Sequence, residues 1–402
     1  MAIRSSLILS GVGGQPITPA LLNEVFELFI KTWGYGRAVE IVKSLGRPCR
    51  RYTLRVNTLR VKPEALIGRL QSRGLTAYEH EALEESIYFL TEGPFTLPEA
   101  KKVVVADKYA AESVMQGAQL YAPGVLLATG VGKGDEVLVS DRYGHRVAFG
   151  VAQMDESEIL TRRRGLAVKT VLSLYKAPSI LELEEYEQGL VFEQSLPAML
   201  TSRILEPKPG ETIIDMCAAP GGKTSHIAQL MKNEGKIVAV DRSRRRLASL
   251  EGNMRRLGVN IVIPIQRDAR YLHLDLPSLK ADRVLVDPPC STLGVRPKLY
   301  DLKTLKHIKA AAEYQKQFLK AAYELVKPNG VIVYSTCTLT PQENEEVIRY
   351  FLTSFKVELE EQPLTLGCKG LLGEAWSGKL QRFYPDLHDT PGYFIARLRK
   401  LK

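Results

Sequence analysis

A chain of 402 residues exceeds one compact domain and points to two or three. With 45% hydrophobic and 25% charged residues, it is neither fibrous nor wholly disordered, and its apolar runs fall short of the ~18 residues a membrane-spanning helix needs. A formal net charge of +10 favours an anionic partner without identifying one.

Residues 1–16 carry a short apolar patch after Arg4 and no small-residue cleavage site, so they read as a cytoplasmic N-terminus rather than a signal peptide. The cysteines (Cys49, Cys217, Cys290, Cys337 and Cys368) are odd in number and widely spaced, with no CxxC pair. They suggest reduced thiols in an intracellular protein, with neither a metal site nor a disulfide framework. From Lys31 to Leu75 there are eleven basic residues and two acidic ones. An imbalance this local reads as a phosphate-binding face in preference to a merely solvated one. Within it, Arg55 to Arg60 alternate polar and apolar side chains as a strand does, and residues 64–72 read as a helix stopped by Gly74.

From Lys101 the texture changes. Val103-Val104-Val105 precedes a short helical stretch at Ser113–Gln116, and short alternating runs such as Glu136-Val137-Leu138-Val139 then lie between glycines. Many short strands with glycine turns suggest a small β-barrel ending near Tyr175. Beyond Lys176-Ala177-Pro178 the pattern becomes α/β. A helix over 195–205 is followed by apolar strands at 212–216, 236–241, 261–265, 282–287 and 330–335, separated by helices. Such strands form a parallel sheet covered on both faces. The chain is thus divided into an α+β N-terminal region (1–100), a barrel (101–177) and a Rossmann-like α/β domain (178–402), of which 178–205 can pack with the N-terminal region.

The run Thr212-Ile213-Ile214-Asp215-Met216-Cys217-Ala218-Ala219-Pro220-Gly221-Gly222-Lys223-Thr224 is a strand, a small-residue turn and a helix start. Small residues let the backbone approach a ligand, and the helix N-terminus offers free N–H donors. The ending Gly222-Lys223-Thr224 imitates a nucleotide-triphosphate loop, but Cys217 stands where that loop needs glycine. Asp215, Asp241 and Asp268 end three successive strands and face one crevice, where Asp241 can accept a ribose diol and Asp268 an adenine amino group. The dinucleotide motif GxGxxG is absent, so an adenosine-bearing cofactor without pyrophosphate fits better, and S-adenosylmethionine is the foremost.

Two further strands end in Asp287-Pro288-Pro289-Cys290-Ser291 and Ser335-Thr336-Cys337-Thr338. One buried free cysteine is usually apolar filler. A pair at adjacent strand ends suits methylation of a cytosine at carbon 5. A thiolate adding to carbon 6 makes carbon 5 nucleophilic, an acidic group at ring nitrogen 3 offsets the developing charge, and a base then removes the carbon-5 proton so that the thiol can leave. Lys223 nearby would lower the thiol pKa.

These motifs resemble the Nop2/Sun (Sun-domain) RNA cytosine-5 methyltransferases. The resemblance is carried by DMCAAPGGKT, AVDRS, RDAR, DPPCSTLGVRPK and YSTCTLTPQENE, with RVNTLR upstream and DTPGYFIA near the end. It implies Cys337 as the nucleophile, Cys290 as the residue promoting product release, Asp287 at the cytosine edge and Lys223 ordering the catalytic groups. It also implies that Cys217, Ala218, Ala219, Pro220, Gly221, Gly222, Lys223, Asp241, Arg246, Asp268 and Asp287 hold S-adenosylmethionine. DNA cytosine methyltransferases use the Pro-Cys cysteine as nucleophile, so the chemistry alone leaves the two roles open. Asp-Pro-Pro-Cys stands where the family more often has Val or Ala before Pro-Cys, and Gly392-Tyr393-Phe394 replaces Gly-Phe-Phe.

The middle segment resembles a PUA domain, through Gly117-Ala118, Pro123-Gly124-Val125, Lys133-Gly134-Asp135-Glu136-Val137 and Ala148-Phe149-Gly150. A PUA domain in this position resembles the Sun6-type branch, which implies a tRNA partner read at its acceptor stem and CCA end, and methylation of cytosine 72. Arg55, Asn57, Gly117, Ala118 and Tyr121 are the expected RNA contacts, and a monomer is expected. The alternatives are the same chemistry on ribosomal RNA, or a catalytically idle RNA-binding factor.

Overall fold

The computed structural model describes residues 17–371 and 373–402, so the expectation for residues 1–16 lies outside it. The described residues gather into two compact units, neither continuous in sequence. One comprises the chain up to Tyr52, Phe89–Ser179 and Arg296–Thr304; the other comprises Thr53–Tyr88, Ile180–Val295 and Leu305–Lys402.

The first unit contains a six-stranded sheet in the order Leu120–Tyr121, Leu166–Ser173, Arg146–Ala152, Glu136–Ser140, Lys102–Ala106, Val125–Leu127. Its pairings are antiparallel except for Lys102–Ala106 against Glu136–Ser140. Alternate residues Val104, Ala106, Val137, Val139, Val147 and Val168 fill its core. The helix here runs Lys108–Val114, earlier than the predicted Ser113–Gln116, because Asp107 caps it by accepting from the Ala110 N–H at 2.9 Å. Helices Asn23–Trp33 and Tyr35–Leu45 bury Phe29, Ile41 and Leu45 in the same unit. Residues 296–304 join it through Lys298 N–H to the Leu45 carbonyl (2.8 Å) and Leu299 N–H to Glu112 (3.0 Å).

The second unit is built on an eight-stranded sheet. Its order is Val262–Gln266, Lys236–Asp241, Thr212–Asp215, Ala281–Val286, Val326–Thr336, Tyr393–Lys400, Val357–Leu359, with Gln381–Phe383 also paired to Tyr393–Lys400. The first five strands are parallel and match the predicted apolar runs closely; Tyr393–Lys400 is antiparallel. Strand order reverses between Thr212–Asp215 and Ala281–Val286, and in such sheets the ligand crevice opens beyond the carboxyl ends at that point.

A second, four-stranded sheet explains why the units interleave in sequence. The strand Arg51–Val56 pairs antiparallel with Val191–Glu193, and Ser86–Leu90 and Tyr78–Glu79 complete it. The linear division at residues 100 and 177 therefore differs from the compact units. Behind this sheet, Glu85 is buried between Arg203 (2.5 Å) and His226 Nε2 (2.9 Å). Burial lowers the His226 pKa to about 4, against the pull of Glu85. Burial would raise Glu85, but the hydrogen bonds from Arg203 and His226 hold it well below the usual range. A depressed imidazole pKa gives stability that is present above the unfolded value of 6.5 and lost as pH falls toward 4. Glu85 extends that loss below 4.5. The urea midpoint is therefore expected to fall between pH 7 and pH 4, and His226→Gln, which keeps a donor to Glu85, should flatten that dependence.

Candidate active site

The turn after Thr212–Asp215 is set by its own strand. Asp215 is buried and accepts from Thr224 Oγ1 at 2.7 Å and from the Cys217 N–H at 3.3 Å. Burial raises its pKa to about 6. Asp215 thus staples the turn, whereas Asp241 and Asp268 stand at the ends of their strands toward the crevice. Gly221 adopts φ 107°, a backbone conformation that residues with a Cβ rarely adopt, so glycine is favoured there. Arg246 pairs with Asp241 at 3.1 Å and donates to the Ala219 carbonyl, and Asn253 holds the Pro220 carbonyl at 2.9 Å. Asp268 is gripped by Arg270 at 2.6 Å, which pulls its pKa down.

The donor set fits an adenosine-bearing cofactor. Asp241 ends one strand and Asp268 lies just beyond the end of the adjacent one, and the helix Gly222–Leu230 has no side-chain cap on its first N–H groups. Those groups suit the carboxylate of a methionine moiety.

The catalytic candidates come together from different strand ends. Cys290 Sγ lies 3.2 Å from Cys337 Sγ, and both thiols are free. The hydrogen bond from Cys290 lowers the Cys337 pKa, against burial, while the same bond and burial push Cys290 well up. Lys223 Nζ donates to Asp287 Oδ2 at 2.7 Å. Burial works against the Lys223 ammonium, but Asp287 and Tyr393 outweigh it and hold its pKa far above the ordinary value. Asp287 Oδ1 accepts from Ser335 Oγ at 2.7 Å and from the Tyr393 hydroxyl at 3.4 Å.

The sequence motifs that contain Ser335 and Tyr393 assign neither a role in the site. The only signal was Tyr393 itself, the departure from Gly-Phe-Phe, whose added hydroxyl reaches Asp287. The Cys290 loop continues through Thr292 at φ 60°, a conformation costly for a β-branched residue and here held by Val295 N–H to the Thr292 carbonyl (3.1 Å). The Cys337 carbonyl accepts from Gly294 N–H at 3.0 Å.

Two expected RNA contacts require correction. Arg55 is 1% exposed and donates to Gln194 Oε1 (2.6 Å), the Gly222 carbonyl (2.5 Å) and Ser225 Oγ (2.6 Å). Asn57 is buried too and donates to the Gly189 and Leu257 carbonyls at 2.8 Å. Both brace the cofactor turn and its neighbours from within and present nothing to a phosphate. The basic surplus of residues 31–75 is also partly neutralised, because Arg69 (2.9 Å) and Arg73 (3.0 Å) pair with buried Glu185. Tyr121 is well exposed, at the end of the short strand Leu120–Tyr121 that follows Gly117 and Ala118.

A doubly wound sheet, a small-residue turn followed by carboxylates for adenosine, and a thiol pair beside Lys223 and Asp287 define an S-adenosylmethionine-dependent methyltransferase. Residues 202–399 match the family model of the 16S rRNA methyltransferase RsmB/F, and residues 102–172 match the PUA domain. The chain is 48% identical to a tRNA (cytosine(72)-C(5))-methyltransferase of Pyrococcus horikoshii, over 95% of this chain and 98% of that one. It is 30% identical to the human tRNA (cytosine(72)-C(5))-methyltransferase NSUN6, over 90% of this chain and 86% of that one. The crystal structure of NSun6 from Pyrococcus horikoshii with SFG, an S-adenosylmethionine analogue, superposes with a TM-score of 0.89 at 48% identity, covering 95% of this chain and 99% of that one. The chain belongs to the RsmB/F-type Sun-domain family of RNA cytosine-5 methyltransferases, in the branch that carries a PUA domain.

Because Arg55 is internal, Arg55→Ala should act on folding. Losing it leaves Gln194 Oε1 without its donor and reduces the Gly222 carbonyl and the Ser225 hydroxyl to their bond with each other (3.1 Å), and the expected cost is on the order of 3 kcal/mol in a denaturant titration. The salt dependence of RNA binding should not change, whereas removing a phosphate contact would reduce its slope by about one.

Proposed function

We propose that this protein methylates carbon 5 of cytosine 72 in the acceptor stem of tRNA, with S-adenosylmethionine as methyl donor. The observation that carries the chemistry is the Cys290–Cys337 pair, at 3.2 Å, on the strand ends that also bear Asp287, with Lys223 2.7 Å from its carboxylate. The support for the substrate is that relatives named for cytosine 72 align along the PUA segment as well as the catalytic segment. A relative named for ribosomal RNA, NOP2C of Arabidopsis thaliana, also aligns over 93% of this chain, but at 27% identity against 48% for the cytosine-72 relative.

In this reading Cys337 Sγ adds to carbon 6 of the cytosine. Its thiolate is favoured by the S–H of Cys290 and by the nearby Lys223 ammonium. Asp287 meets the amino edge of the base, held in place by Lys223 and Ser335. Carbon 5, made electron-rich by the addition, takes the electrophilic methyl that S-adenosylmethionine supplies when bound. The carbon-5 proton then passes to a base, the ring double bond re-forms and the Cys337–carbon 6 bond breaks. The Cys290 S–H steadies the departing thiolate. The base must leave its stack to reach the thiols, and a terminal pair opens at lower cost than an internal one. Tyr121 and the Gly117-Ala118 turn supply contacts to the RNA end. The working form in this reading is a cytoplasmic monomer.

Bisulfite sequencing of unmodified tRNA after incubation with the protein and S-adenosylmethionine tests this. One newly protected cytosine at position 72 is expected. Protection in the anticodon loop, or only in ribosomal RNA, would discard the acceptor-stem reading.

A further inference from the structure

Glu343 lies in the loop after Cys337, is fully buried, and pairs with no cation among the described residues. All its partners are neutral donors, and they belong to both cysteine loops. Glu343 Oε2 accepts from the Ser291 N–H at 2.8 Å, and Glu343 Oε1 accepts from the Ser291 hydroxyl. Ser291 directly follows Cys290. Oε2 also accepts from Gln315 Nε2 at 3.0 Å, and that amide donates to the Pro289 carbonyl, directly before Cys290, at 3.1 Å. On the other side, Thr340 Oγ1 donates to Oε1 at 2.9 Å, and Ser291 Oγ lies 2.7 Å from Thr338 Oγ1, next to Cys337. The Tyr334 hydroxyl closes the cluster by donating to the Glu343 carbonyl at 2.6 Å.

Leaving a carboxylate in the interior without a counter-charge is costly, so its use has to be sought in what it holds. The bonds reach both neighbours of Cys290 and the two threonines that follow Cys337, but neither sulfur. We propose that Glu343 is the positioning residue that fixes the two thiols relative to each other, clamping the Cys290 loop and the Cys337 loop to one buried carboxylate. The inference rests on the reading of Cys337 and Cys290 as the reacting pair. It adds that their spacing is set from behind by a group that touches neither substrate nor cofactor.

Two variants test it. Glu343→Ala removes the clamp, and kcat is expected to fall on the order of 100-fold, as for a displacement of about 1 Å at a reacting group. Affinity for S-adenosylmethionine should stay within about two-fold, which also shows that the variant is folded. Glu343→Gln keeps an acceptor for Ser291 and can donate to hydroxyls that rotate to accept, so it should recover most of kcat. The groups facing Cys337 are Cys290, Asp287, Lys223 and Glu343, and the Glu343 charge opposes both thiolates. Its removal in Glu343→Gln should therefore move the acid limb of the single-turnover pH profile to lower pH. Glu343→Ala turning over at the wild-type rate would overturn the proposal, as would loss of cofactor binding in parallel with turnover in both variants. Cys290→Ala run alongside separates the two readings. If Cys290→Ala traps no covalent RNA complex, the assignment of the cysteines fails. If it traps one while Glu343→Ala behaves as wild type, only the positioning role fails.

Discussion

Cys337→Ala is expected to abolish methyl transfer while leaving S-adenosylmethionine binding within about two-fold of wild type. The cofactor loop 217–222 is held by Asp215, Arg55, Asn253 and Arg246, none of which bonds to Cys337. The pocket therefore survives the change. What disappears is the sulfur that adds to carbon 6, and without that addition carbon 5 has too little electron density to take the methyl. Removal of an enzyme nucleophile costs on the order of 10⁶ in rate, so single-turnover assays should show no product. The check pairs a labelled-cofactor binding isotherm with a single-turnover assay. Product formed at even a hundredth of the wild-type rate would transfer the nucleophile's role to Cys290.

Cys290→Ala is expected to behave in the opposite way, by accumulating a covalent protein–RNA complex that survives denaturing electrophoresis. Cys290 is the thiol pushed up and so protonated, and Cys337 is the one lowered. Addition needs only the Cys337 sulfur. Release needs that sulfur to leave as a thiolate, and the S–H at 3.2 Å that would steady it is gone. Turnover should drop by on the order of 100-fold or more while methylated RNA stays bound to the protein. A double variant lacking Cys337 as well should show no complex. Free methylated product at the wild-type rate from Cys290→Ala would remove Cys290 from the release step.

The sequence was most informative where chemistry and local pattern coincide. The strands ending at Asp215, Asp241 and Val286 lie within a residue or two of their apolar runs, and the turn at Cys217–Gly222 follows from its small residues. The two thiols were traceable because each sits at such a strand end. What stayed hidden depends on partners far away in the chain. The basic surplus around Arg69 and Arg73 could not be seen as neutralised, because Glu185 lies more than a hundred residues on. Arg55 and Asn57 alternate as an exposed strand face would, yet Gln194 and Leu257 cover them. Tyr393 reaches Asp287 only because the last strand runs antiparallel beside Val326–Thr336. Glu343, in a Gln-Glu-Asn-Glu run, reads as one more polar loop residue until the two cysteine loops are seen around it.

The interleaving of the two units also bears on how the chain is made. Asn57 leaves the ribosome 200 residues before Leu257, whose carbonyl it holds, and Arg55 emerges 167 residues before Gly222. At synthesis rates of about 5–20 residues per second, the Arg55 and Asn57 side chains wait roughly 10–40 s for Gly222 and Leu257. Throughout that interval an arginine and an asparagine destined for the interior stay in water. The catalytic unit cannot be completed one domain at a time from the N-terminus; it closes around an early strand only after the first strands of its own large sheet have been synthesised.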